Sequence, residues 1–64
     1  MSEIITNRLK ESEGKEIKIF LYNGFHYTGK CLGSDDTYVE ILDFKLNAIK
    51  VLRIEDIKDM EVRG

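Results

Sequence analysis

The stretch Tyr22-Asn23-Gly24-Phe25 separates two runs in which apolar and polar residues alternate, and nothing else in the chain constrains its fold as tightly. Asn-Gly is the strongest short-range hairpin signal. Both central positions of a type I′ turn need positive φ, which glycine adopts freely and asparagine tolerates. Before the turn, Ile17, Ile19 and Leu21 point one way and Lys18, Phe20 and Tyr22 the other. The pattern predicts a strand from Glu16, a type I′ turn at Asn23-Gly24, and a returning strand over Phe25 to Leu32. Gly29 lies inside this second strand and Gly33 just after it, and glycine in such places marks a bulge or sharp bend.

The rest of the chain continues in short pieces. Upstream, Ser2 to Lys10 carries Ile4, Ile5 and Leu9 at spacings that suit one face of a short helix, with Ser2 as N-cap and Glu3 near the positive end of the dipole. The polar Glu11-Ser12-Glu13-Gly14 suits a helix exit. Downstream, Ser34-Asp35-Asp36 reads as a turn, Thr37 to Leu42 as a third strand and Asp43 to Asn47 as a connection. Ala48 to Ile54 makes a fourth strand, Glu55-Asp56 interrupts it, and Ile57 to Val62 makes a fifth. A helix followed by five short antiparallel strands implies a mainly β, strongly bent sheet or small barrel, SH3-like or OB-like, in one domain spanning residues 1–64.

A chain of 64 residues has little core to spare. Domains of this size usually lean on disulfides, a metal or self-association. Cys31 and His26 are the only soft ligands, so neither a disulfide framework nor a zinc site is on offer, and self-association remains. Cys31 lies in an apolar-patterned strand and reads as a small buried thiol. His26, next to a hairpin turn, reads as a solvated imidazole. No apolar run approaches the roughly 20 residues that cross a bilayer, and the N-terminus has no basic segment followed by an apolar core. The expected location is cytoplasmic. With a formal net charge of −2 there is no global basic field, so any nucleic-acid site must be local.

Ile17 to Leu42, IKIFLYNGFHYTGKCLGSDDTYVEIL, resembles the first motif of the Sm-like (Sm, LSm, Hfq) superfamily. The agreement lies in the apolar alternation, Asn23-Gly24, the in-strand Gly29, and Gly33 two residues before Asp35. Val51 to Val62, VLRIEDIKDMEV, resembles a degenerate second motif: Arg53 fits and Glu55 stands in for an acidic residue, but Ile54 replaces a glycine and Asp56 an asparagine. The resemblance implies a small open Sm-like barrel that forms homo-oligomeric rings of about five to seven subunits. The edges left to pair would be the strands containing Val51 and Met60.

The resemblance also implies a single-stranded RNA site at Asp35, Thr37, Val39, Arg53 and Glu55. Asp35 would brace the loop. At the stacking position stands Thr37, whose hydroxyl cannot replace a π-face worth about 1–3 kcal/mol per base. Val39, at the base-edge position, has neither donor nor acceptor, and Ile54 would crowd the pocket. Arg53 alone keeps the chemistry to stack or to bind phosphate, although an ion pair with Glu55 or Asp56 is an equally ordinary use for it. The aromatics Phe20, Tyr22, Phe25, Tyr27 and Tyr38 are expected in the core and subunit contacts. Asp35-Asp36 reads as a turn former. There is no nucleophile with a base, no phosphate loop and no acid pair at a recognised spacing, so the chain is expected to be non-enzymatic and to need no cofactor. Two readings stay open: an RNA-binding ring with an altered base pocket, or a structural or protein-interaction ring that has lost it.

Overall fold

In the computed structural model, which describes residues 3–64, helix α1 (Glu3–Glu11) precedes five strands. These are β1 (Glu16–Leu21), β2 (His26–Ser34), β3 (Tyr38–Asp43), β4 (Ala48–Arg53) and β5 (Ile57–Val62), with a 3-10 turn over Ile54–Asp56 between the last two. All pairings are antiparallel, and the sheet order is β4-β3-β2-β1-β5. The expected mainly β architecture stands. Ser2 and the Glu3 carboxylate, expected at the helix start, lie outside the described residues. No helix among those residues is long and apolar enough to cross a membrane.

Leu9 is fully buried against the sheet and Ile5 packs beside it, but Ile4 is 76% exposed. The buried face of α1 is thus the i, i+4 pair Ile5–Leu9, and Ile4 falls off that stripe. At the exit the Ser12 hydroxyl donates to the Arg8 carbonyl at 2.6 Å. The Gly14 N–H donates to the Cys31 carbonyl (2.7 Å) and the Cys31 N–H to the Lys15 carbonyl (2.9 Å), clamping the exit onto β2.

The hairpin forms where Asn23-Gly24 placed it, with a different turn. Gly24 has φ 92 and its N–H donates to the Leu21 carbonyl at 3.1 Å, while Asn23 does not adopt positive φ. The loop has three residues between Leu21 and Phe25, closed by the Leu21 N–H on the Phe25 carbonyl at 2.9 Å, with glycine in the left-handed position. Asn23 contributes its side chain, whose Oδ1 accepts the Phe25 N–H at 3.0 Å. The expected type I′ turn is corrected accordingly. In the β3–β4 turn it is Asn47 that takes positive φ (53).

The core is aliphatic: Leu9, Ile17, Ile19, Cys31, Val39, Ile41, Ile54, Ile57 and Met60 are buried, each aliphatic side chain contributing about 1.5–3 kcal/mol. Of the five aromatics expected to serve the fold, only Tyr27 packs against this cluster; Tyr22, Phe25 and Tyr38 are exposed in the single chain. Branched aliphatics fill so narrow a space without the long reach of a ring. The Cys31 thiol is buried as expected, donating to the Leu9 carbonyl at 3.7 Å, and burial pushes its pKa up.

Two irregularities shape the sheet. Between β2 and β3 the register shifts from Cys31↔Ile41 to Gly33↔Glu40, leaving Leu32 without a partner. Between β1 and β5 it shifts from Phe20↔Asp59 to Leu21↔Ile57, leaving Lys58 unpaired. Bulges bend a strand and increase its twist. At buried Gly29, an added Cβ would lie 1.9 Å from the Leu42 carbonyl oxygen and 2.7 Å from its carbon. Backbone approaches backbone there, and only glycine fits. Gly29→Val is expected to destabilise the fold by about 3 kcal/mol, the upper part of the overpacking range. In a domain this small the melting midpoint should fall by more than about 10 °C, measured by circular dichroism. An unchanged midpoint would contradict the close approach.

Candidate nucleic-acid interface

The loop after β2 is built by one carboxylate. Asp35 Oδ1 accepts the N–H groups of Thr37 (2.8 Å) and Tyr38 (2.7 Å), and the Asp35 N–H donates to the Tyr38 carbonyl (2.9 Å). An Asp side chain that replaces backbone in this way fixes a turn locally. The Tyr38 and Thr37 amides hold the Asp35 pKa below the usual carboxylate range, since hydrogen bonds to the charged form favour it. Asp35 braces the loop by its own geometry, whatever the loop binds.

Two further contacts place that loop. The Ile54 N–H donates to the Thr37 carbonyl at 2.9 Å, so the end of β4 and the 3-10 turn lie against it. Lys10, near the end of α1, pairs with Asp36 at 3.1 Å from across the molecule. Lys10 is a cation at this loop that the sequence did not reveal: 26 residues separate the partners, and no local pattern links them.

Arg53 is the register partner of Tyr38 at the end of β4, and its side chain is 58% exposed. It forms an ion pair with Glu55 on the 3-10 turn, one of the ordinary partners anticipated for it. An exposed pair of this kind contributes little and exchanges readily for another anion. Asp35, Thr37, Arg53 and Glu55 therefore share one end of the sheet, with the Thr37 side chain exposed.

Val39 does not belong with them. It is 0% exposed, packed in the core beside its register partner Leu52, because alternation along β3 turns it inward just where Tyr38 turns outward. The expectation that Val39 lines the site is corrected on that ground. Ile54 is likewise buried, at 2% exposure, so it fills the core rather than crowding a surface pocket. Tyr38, by contrast, is 46% exposed beside Arg53. The same two-residue period that buries Val39 was the signal available for finding it.

At the other end of β2, His26 is exposed, its ring 6.2 Å from that of Phe20, while the Lys18 ammonium lies 5.3 Å from the Phe20 centroid. Among the described residues no three His, Cys, Asp or Glu side chains gather as a metal site would require.

No family model matches the sequence, and no curated protein matches it. The fold does have a solved counterpart in a 1.55 Å crystal structure of Hfq, described as a pleiotropic translational regulator. It aligns with a TM-score of 0.79 over 97% of this chain and 94% of that one, at 19% sequence identity. At that identity the likeness is one of fold: the short N-terminal helix and five-stranded antiparallel sheet described above are those of Hfq.

Proposed function

We propose that the chain is a non-enzymatic scaffold that assembles head to tail into a ring and binds single-stranded RNA weakly through a circle of Arg53 side chains. The observation that carries the assembly is the strand order, in which β4 and β5 are the two outer strands, each paired on one side only. Unpaired strand edges are templates for pairing with another chain. A β4-to-β5 contact between copies is head to tail, and such contacts close into a ring when the rotation fits. The edges also differ in charge: β4 carries Lys50 and Arg53 and no acid, whereas β5 carries Asp59 and Glu61 against Lys58 alone.

The RNA reading rests on Arg53, exposed beside the Asp35-braced loop. Repetition around an axis multiplies one weak contact into avidity. Phosphate would displace Glu55, exchanging one surface ion pair for another. With Thr37 offering no ring and Val39 buried, base reading at those positions has no chemical means, and the affinity is mainly electrostatic. The Arg53–Glu55 pair itself favours a second reading, a ring that holds protein partners and has given up RNA, because it leaves little net charge at the loop.

A salt titration of oligo-uridine and oligo-adenine affinity tests this. Wild-type binding should fall linearly with the logarithm of salt concentration and differ little between the two oligonucleotides. Arg53→Ala should abolish it. Thr37→Phe should strengthen binding by about 1 kcal/mol or more by adding a stacking surface. Tight, base-selective binding that persists at high salt would overturn the electrostatic account, and absence of binding even at low salt would favour the second reading.

A further inference from the structure

Beside the free edge of β4 lies a cavity of about 340 Å³ lined by Gly33, Ser34, Asp35, Tyr38, Glu40 and Val51. Gly33, at the β2 bulge, is part of its lining. The bulge brings Gly33 opposite Glu40, and a Cβ at Gly33 would meet nothing within 4 Å, so the floor is open where a side chain would otherwise stand. The lining carries two carboxylates and no cation. The Ser34 hydroxyl oxygen is buried and has no hydrogen-bond partner within the chain. Val51, 56% exposed on the outer strand, and Tyr38 form an apolar wall.

The other free edge presents a matching group. The β5 bulge leaves Lys58 with no partner on β1, and a bulge re-aims the side chain it carries. Lys58 is exposed, is the only cation on β5, and enters no ion pair among the described residues. Of the other cations near the two edges, Arg53 pairs with Glu55 and Arg63 with Glu16 and Glu61, while Lys50 belongs to β4 itself, so Lys58 is the free cation that the β5 edge brings to its neighbour.

We infer that this cavity is the socket for Lys58 of the neighbouring copy, so that the bulges of β2 and β5 together set the register of the subunit contact. The inference rests on the ring reading above and names its specific contact. The lysine stem lies along Val51 and Tyr38 while the ammonium donates to the Glu40 carboxylate. Asp35 Oδ1 already accepts two backbone N–H groups, which leaves Glu40 as the main counter-charge. The contact discriminates as well as attracts, since a slipped pairing would leave Glu40 without Lys58 as its counter-charge.

The test is assembly measured by sedimentation velocity over a dilution series on the full chain. Glu40→Lys and Lys58→Glu, both at exposed positions, should each raise the concentration needed for assembly by at least about tenfold. The double charge swap should restore it towards wild type. Gly33→Leu, which fills the socket without placing charge there, should weaken assembly while leaving the circular dichroism spectrum unchanged. Single variants that assemble like wild type, or a double swap no better than the singles, would overturn the socket while the ring stands. Normal assembly of Glu40→Lys with loss of oligonucleotide binding would give the cavity to a nucleotide and overturn it too. A wild-type chain that never assembles would overturn the ring and the socket together.

Discussion

A backbone N–H or carbonyl with no partner in its own chain has to find one elsewhere, and β4 and β5 each carry a full row of such groups. In a sheet ordered β4-β3-β2-β1-β5 the strands late in the sequence are sent to opposite ends, one turn of 3-10 helix apart along the chain. The 3-10 turn at Ile54–Asp56 is anchored by the buried Ile54 and by its N–H on the Thr37 carbonyl. The chain thereby leaves one edge and crosses to the other without pairing the two. Apolar side chains also stand exposed on these strands: Ile49 and Val51 on β4, Val62 on β5. In the proposed ring a neighbouring copy covers both.

The same economy governs the interior. A small aliphatic core can close only if the sheet bends hard, and the bending is done by two bulges and by the backbone contact at Gly29. Each device has a second effect. Gly33 of the β2 bulge lines a cavity beside one edge, and the β5 bulge frees Lys58 on the other. Curvature and surface chemistry therefore come from the same residues, and changes made for one alter the other.

Much of this was legible in the sequence. Alternation from Glu16 and the Asn23-Gly24 pair located the first hairpin, and β1 and β5 begin where they were read. The motif resemblance named the edge strands through Val51 and Met60, and those are β4 and β5. The turn type escaped because Asn23 spends its side chain on the Phe25 N–H instead of taking positive φ. Strand β2 runs two residues beyond its expected end at Leu32, because its bulge lets pairing resume at Gly33. In the candidate site, it is the family resemblance that groups Asp35, Thr37, Arg53 and Glu55, and the four lie at one end of the sheet. Val39 was carried along with them, although its inward parity on β3 made it a core residue. The Lys10–Asp36 pair and the cavity beside Glu40 depend on elements distant in sequence, which no local pattern encodes.

In the proposed assembly the two open edges pair between copies. Native mass spectrometry or light scattering of the wild-type chain at micromolar concentration tests it most directly. A closed ring gives one species at about five to seven times the 7.4 kDa chain mass, with no ladder of larger polymers. A stable 7.4 kDa monomer at that concentration would contradict it.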